Sequence, residues 1–160
     1  YHEVTDADYP LFEYPPYDTA LASKLVDVVK HEDLDLLHVH YAIPHATVGY
    51  MAKKILLTQG KYIPVITTLH GTDITLVGKN PAFAPVVAFS INKSDGVTAV
   101  SDNLRQKTYS NFDIKNDIEV IHNFIDFERF SRLNKDHFKK AISPDGERII
   151  THVSNFRKVK

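Results

Sequence analysis

The chain has 160 residues, 43% of them hydrophobic and 24% charged, with a formal net charge of −1 and no cysteine. This composition is typical of a soluble globular domain with one core, and the balanced charge excludes an electrostatic footprint for nucleic acid or for an acidic membrane surface. Disulfides and thiolate chemistry are excluded, no apolar run approaches membrane-spanning length, and we expect a cytoplasmic enzyme.

The chain begins with an aromatic, proline-rich segment. Residues 1–5 are compatible with the end of a strand, and the prolines that follow favour a loop over residues 6–16. Apolar residues then recur with helical spacing from Leu21 to Val29, which predicts an amphipathic helix that ends near His31.

Strands and helices are predicted to alternate along the rest of the chain. In order, the pattern predicts a strand at 34–40, a helix at 42–58, a strand at 63–69, a short helix at 85–93, a strand at 96–100, a helix at 102–111, a strand at 118–121, a helix at 135–142 and a strand at 149–153. Gly60 has the position of a helix C-cap and Ser101 that of an N-cap. The alternation is typical of an α/β fold with a Rossmann-like, doubly wound parallel sheet and helices on both faces.

The most informative stretch is His70-Gly71-Thr72-Asp73, directly after the β-branched strand that ends at Leu69. Open α/β sheets hold ligands at the carboxyl ends of their strands, and glycine lets the backbone turn tightly and approach a ligand. The histidine offers an acid or base, and the threonine and aspartate offer hydrogen-bonding groups on the rim. A polar turn that merely ends a strand is the alternative.

Polar residues also follow the other predicted strands. They are His38, His40 and Tyr41 after the first, Ser101 after the third, and His122 and Asn123 after the fourth. Because parallel strands end at one edge of a sheet, these groups are predicted to converge on one crevice. Taken singly, Ser101 is also explained as a helix cap and Asn123 as a turn residue.

Three histidines, His38, His40 and His45, allow a metal-site hypothesis, since alternate strand residues share a face. Neither a cysteine nor a carboxylate ligand supports it. We therefore favour His40 as a residue of the crevice rim and His38 as a hydrogen-bonded residue deeper in the sheet.

A basic loop from Ser154 to Lys160 follows the last predicted strand. Arg157 and Lys160 suit the binding of a diphosphate, and a solvated basic tail is the alternative. The chain contains neither the glycine-rich dinucleotide motif nor the P-loop motif, so a nicotinamide dehydrogenase or a P-loop enzyme is not supported.

Several stretches together resemble the successive motifs of retaining GT-B glycosyltransferases of family 4. They are His38 to His45, Thr67 to Asp73, Val97 to Ser101, Val120 to Phe130, and Ser154 to Lys160. The resemblance implies a partial GT-B fold, with residues 1–147 forming most of an acceptor-side N-terminal domain and residues 148–160 the first strand and loop of the donor-binding domain. Tyr1 is then internal to a longer protein. Phe124 replaces the family's usual glycine, and Ser154-Asn155 its usual Gly-Arg.

The resemblance implies transfer of N-acetylglucosamine from UDP-GlcNAc to the hydroxyl of L-malate in bacillithiol biosynthesis, with retention of the α configuration and without a bound metal. It makes His70 the catalytic residue. Tyr41, Thr68 and Asn123 become substrate-binding residues, and Arg157 and Lys160 hold the donor diphosphate. Neither nucleic acid nor a membrane is an expected partner, and assembly into a homo-oligomer is left open.

Three alternatives remain at this point. The same fold could serve a lipid or polysaccharide acceptor, although no basic amphipathic helix for membrane docking is present. A metal-dependent hydrolase and a non-catalytic binding domain are the others. Because half of the expected cleft lies outside the 160 residues, we expect the isolated chain to have no turnover.

Overall fold

The computed structural model describes residues 16–153, except 77, 79, 132 and 134. Its elements are α1 (Tyr17–His31), β1 (Leu37–His40), a π-helical turn (Ala42–Ala46), α2 (Thr47–Thr58), β2 (Val65–Leu69), α3 (Thr72–Thr75), α4 (Ala84–Lys93), β3 (Gly96–Ala99), α5 (Asp102–Asn111), β4 (Ile118–Val120) and α6 (Asp136–Ile142). The strands form one parallel sheet in the order β1-β2-β3-β4. The predicted α/β class with a Rossmann-like parallel sheet is confirmed.

The chain divides into two compact units, Tyr1–Asn123 and Phe124–Lys160. The sheet and helices α1 to α5 belong to the first unit, and α6 belongs to the second. The domain boundary predicted between residues 147 and 148 stays a prediction.

The order of the strands explains where the helices lie. Parallel crossovers are right-handed, so connections that step across a sheet in one direction leave their helices on one face. Accordingly, Leu37, Val65 and Val97 share a face by register and join the two hydrophobic clusters, which contain residues of α1 to α5. The opposite face carries His38 and Thr68. The predicted second layer of helices, on that opposite face, stays a prediction.

Helix α2 packs unusually close to the sheet at Gly49. A Cβ atom added there would lie 3.3 Å from Cγ1 of Val39 and 3.3 Å from Cγ1 of Val65. The missing side chain therefore lets α2 approach β1 and β2 and fixes the position of the turn that precedes the helix.

The predicted helix at 42–58 begins later than expected. Its first five residues form the π-helical turn, in which Ile43 is extended with φ −130° and ψ 140°. The cause is Pro44, because the ring of a proline disfavours the helical conformation of the residue before it. The regular helix α2 begins at Thr47.

Both predicted helix caps are confirmed. Gly60 has a φ of +80° just after α2, and its N–H donates to the Leu57 carbonyl at 3.1 Å. The Ser101 hydroxyl accepts a hydrogen bond from the Leu104 N–H at 3.2 Å and begins α5. The sequence thus marks both helix ends by side-chain and backbone chemistry.

The strand predicted at 149–153 is wrong for the described structure, since these residues pair with no strand. Ile150 is 93% exposed and Val153 is 90% exposed. A β-branched pattern favours extended backbone, but a strand also needs backbone hydrogen bonds to a neighbouring strand. No described residue supplies such a partner for residues 149–153. Within the described ranges, no helix combines the length and the apolar character needed to cross a membrane.

Candidate functional site

The candidate site lies where β1 and β2 end side by side. The two strands are parallel, and His40, the last residue of β1, is paired in register with Thr68. His70 follows two residues after Thr68, so alternation along the chain places its side chain on the same face as that of His40. Nδ1 of His40 lies 2.8 Å from Nε2 of His70, which is a hydrogen bond between the two imidazoles. His70 is half-buried, so its ring is accessible and is not sealed in the core.

A ladder of polar side chains crosses the same face of the sheet. Nε2 of His38 is 2.7 Å from the Thr68 hydroxyl, which is 2.7 Å from the hydroxyl of Thr98 on β3. His38 is hydrogen-bonded as predicted, but it is exposed on the face of the edge strand and not deep in the sheet. The Thr68 hydroxyl has one donor and two acceptor sites, so two of its three are already in use.

Tyr41 continues the pairing of β1 into the loop. Its N–H donates to the Thr68 carbonyl at 2.9 Å, and its backbone has φ 77° and ψ 138°. A positive φ is unfavourable for a bulky residue, at a cost of roughly 1–3 kcal/mol, and persists only where the surroundings impose it. The strained backbone turns the ring toward His70, with 5.0 Å between the ring centroids, and the tyrosine is 38% exposed.

Asp73 has a different role from the one predicted. It is only 3% exposed, so its carboxylate is not on the rim. Oδ2 accepts from the Ala42 N–H at 2.8 Å, and Oδ1 accepts from the Gly71 N–H at 3.0 Å. The carboxylate therefore joins the loop after β1, which carries Tyr41, to the loop after β2, which carries His70. The sequence signal for this role is an aspartate two residues after a glycine, which allows a local hydrogen bond to the backbone.

The histidines of the site influence one another. Burial lowers the pKa of His40, and the nearby rings of His38, His70 and His45 lower it further, since a second positive charge among them would be repelled. Nδ1 of His45 donates to the His40 carbonyl at 2.7 Å and so supports the end of β1 from the following turn. The neutral form of the His40 ring is accordingly favoured.

The remaining predicted residues lie elsewhere or outside the described residues. Ser101 is occupied as the cap of α5, and His122 donates to the Val100 carbonyl at 3.2 Å. Asn123 is exposed after β4, two strands away from β2, and no hydrogen bond joins it to His70 in the described part of the chain. Arg157 and Lys160 lie outside the described residues.

The structure does not gather a metal site from the three histidines considered in the sequence. His38 bonds to Thr68, whereas His45 bonds to a backbone carbonyl. Across residues 16–153, gaps apart, no group of three histidine, cysteine or acidic side chains is arranged to hold a metal ion. The hydrolase hypothesis therefore lacks the ligand cluster that it requires.

Comparison with known families defines the class of this protein. The model of the family described as Glycosyltransferase Family 4 matches residues 1–129, which is more than half of the chain. The chain belongs to glycosyltransferase family 4. The family resemblance inferred from the motifs is confirmed.

Two curated relatives give finer comparisons. The chain is 47% identical over 161 aligned residues to N-acetyl-alpha-D-glucosaminyl L-malate synthase of Bacillus anthracis, a match that covers 100% of this chain and 42% of the relative. It is 30% identical over 102 residues to an uncharacterized glycosyltransferase of Methanocaldococcus jannaschii, covering 64% of this chain and 27% of that protein. The matched region thus spans less than half the length of each relative.

Proposed function

We propose that the full-length protein transfers N-acetylglucosamine from UDP-GlcNAc to the hydroxyl of L-malate, a step of bacillithiol biosynthesis. The observation that carries the proposal is the placement of His70 at the carboxyl end of β2, half-buried and hydrogen-bonded to His40 at 2.8 Å. The donor sugar and the malate acceptor are supported by the name of the Bacillus anthracis relative, which is 47% identical. The isolated chain of 160 residues is expected to have no turnover.

The proposed reaction retains the α configuration at the sugar. The bond between C1 and the diphosphate oxygen breaks, and the malate hydroxyl oxygen bonds to C1 on the same face. The hydroxyl proton passes to the departing diphosphate, so no protein nucleophile is needed. The protein must then stabilise charge on the leaving group and orient the acceptor.

His70 suits the orienting task because its imidazole is accessible and its Nε2 is held by a hydrogen bond to His40 at 2.8 Å. It would lie beside the donor sugar and help to orient the reacting hydroxyl toward C1, on the face from which the diphosphate leaves. Tyr41 has an exposed ring 5.0 Å from that of His70 and is a candidate contact for the substrates. Thr68 and Asn123 complete the proposed substrate-binding set, although Thr68 has only one hydrogen-bonding position left.

The proposal assigns the donor diphosphate to Arg157 and Lys160, whose charges would neutralise it. It includes metal-independent catalysis, UDP-GlcNAc and L-malate as the small-molecule partners, and a cytoplasmic location.

The substrate assignment is tested by a screen of UDP-sugars against hydroxy acids with the full-length protein. Formation of N-acetylglucosaminyl malate, and of no comparable product with other acceptors, is the expected result. Preferential transfer to a lipid or a polysaccharide would replace the acceptor while keeping the class of enzyme.

The residue assignments are tested by two sets of variants. His70→Ala should lower kcat on the order of 100-fold, whereas His31→Ala on α1 should leave it unchanged. Replacing Arg157 and Lys160 by glutamine should weaken UDP binding in calorimetry, with Lys30→Gln as the control. Unchanged kcat or unchanged UDP affinity would remove the respective residues from the site.

A further inference from the structure

The imidazoles of His40 and His70 form a pair whose bond direction is not yet assigned. Nδ1 of His40 and Nε2 of His70 are 2.8 Å apart, so one of these two nitrogens carries the shared hydrogen and the other accepts it. In the described part of the chain, Nδ1 of His70 makes no hydrogen bond. A neutral imidazole carries its hydrogen on only one nitrogen. If Nε2 of His70 donates within the pair, Nδ1 of His70 is a hydrogen-bond acceptor for a ligand; if Nε2 accepts, Nδ1 is a donor.

Two arrangements satisfy the pair when both rings are neutral. If His40 donates, both rings carry their hydrogen on Nδ1. If His70 donates, both rings carry it on Nε2, which is the more stable form of a neutral alkyl-substituted imidazole in water. The second arrangement therefore needs no unfavourable tautomer in either ring.

The surroundings keep His40 neutral and fixed. Burial and the rings of His38, His70 and His45 lower the pKa of His40, which favours the neutral ring, in which one of the two nitrogens is an acceptor. The backbone of His40 is paired with β2 on one side and accepts the His45 hydrogen bond at 2.7 Å on the other. The ring centroid of His38 lies 4.8 Å from that of His40 and limits its rotation.

We infer that His40 is a positioning residue that accepts the Nε2 hydrogen of His70 and thereby leaves Nδ1 of His70 as an acceptor for the reacting hydroxyl. This inference rests on the proposed function and adds a residue to it. An acceptor at Nδ1 would orient the hydroxyl by receiving its hydrogen bond, which turns an oxygen lone pair toward the sugar. This hydrogen bond holds the hydroxyl before the attack; as the new bond to C1 forms, the hydroxyl hydrogen moves away from Nδ1 to the departing diphosphate oxygen, so His70 is neutral before and after the reaction.

The test combines a tautomer measurement with matched variants of the full-length protein. Nitrogen NMR of histidine-labelled protein at pH 7.5 should show an unprotonated Nδ1 and a protonated Nε2 in His70. His40→Leu removes the acceptor at similar size and should lower kcat about tenfold or more, with the KM for the donor changed less than about twofold. His40→Asn offers an oxygen near the place of Nδ1 and should recover most of kcat. His31→Asn on α1 is the matched control and should behave as the unsubstituted protein.

Each outcome decides the inference. A protonated Nδ1 in His70, an unchanged kcat in His40→Leu, or an equal loss in His40→Leu and His40→Asn would overturn it. If His40→Leu does not fold, the nitrogen spectrum and His40→Asn still decide. If the unsubstituted protein transfers no sugar at all, the proposed function fails, and the nitrogen spectrum still reports the direction of the bond.

Discussion

The carboxylate of Asp73 accepts a hydrogen bond from the Ala42 N–H at 2.8 Å across 31 residues of sequence. Its other oxygen accepts from the Gly71 N–H at 3.0 Å. One buried side chain thus ties together the two loops that present Tyr41 and His70. The positions of both loops are therefore coupled through the Asp73 carboxylate.

Replacement of Asp73 should therefore reduce both stability and activity. Asp73→Asn keeps one acceptor oxygen but places an NH2 group against the second N–H, and a buried donor left without a partner costs roughly 1–3 kcal/mol. Urea unfolding of the full-length protein measures this loss. Asp102→Asn, an exposed aspartate paired with Arg105 at 2.7 Å, is the control and should lose much less. Equal stability of the two variants would show that the Asp73 bonds contribute little.

A second prediction concerns Gly71, whose φ is +116°. A Cβ atom there would meet no atom within 4 Å, so Gly71→Ala imposes backbone strain without a clash. The strain should cost roughly 1–3 kcal/mol of unfolding free energy. Because the loop would relax beside His70, kcat should also fall.

Gly60→Ala is the matched control for that experiment. Gly60 has a φ of +80°, and a Cβ atom there also meets nothing within 4 Å, but the residue follows α2 far from the ends of β1 and β2. It should lose stability and keep kcat. If both variants keep kcat, the conformation of Gly71 does not matter for the site.

The fold was predictable where local chemistry marks it. Ser101 and Asp102 begin α5 at the residue expected, because an N-cap and an acidic first turn are local signals. Pro44 also carried a local signal, because a proline disfavours the helical conformation of the residue before it, yet one helix was predicted over 42–58. The strand expected at 149–153 failed for another reason, since strand pairing depends on a partner outside the segment.

The convergence of His40 and His70 was predictable, and the details of the candidate site were less so. Polar residues at the carboxyl ends of parallel strands converge, as the positions of His40 and His70 show. The bond between their rings depends on the register that pairs His40 with Thr68, and no local pattern encodes that register. The use of Asp73 as a buried tie between loops was missed because its partner Ala42 is 31 residues away.

Thr68 gives a third prediction, because its hydroxyl links His38 and Thr98, each at 2.7 Å. Thr68→Val keeps the shape and removes the hydroxyl, so both neighbours lose a partner and stability should fall by about 1 kcal/mol. Thr68→Ser should retain the ladder and most of that stability. If Thr68 also binds substrate, the KM of Thr68→Val should rise, and an unchanged KM would confine its role to the ladder.

The last prediction concerns acid stability at the opposite end of the sheet, where Asp95 accepts from Lys53 Nζ at 2.6 Å and from the Val65 N–H at 2.7 Å. Burial alone would raise the pKa of Asp95, but hydrogen bonds from Lys53, Val65 and Tyr62 outweigh it and lower the pKa below its usual value. A lowered folded-state pKa stabilises the protein above the unfolded-state pKa of about 3.9, and this stability is lost as the pH falls through the folded-state value. Asp95→Asn should therefore cost roughly 1–2 kcal/mol at pH 7, and the difference from the unsubstituted protein should shrink below about pH 4.

Urea unfolding from pH 7 to pH 3 measures this difference in unfolding free energy, with the exposed Asp33→Asn as the control that should change little. A difference that does not depend on pH would show that the charge of Asp95 is not what stabilises this end of the sheet.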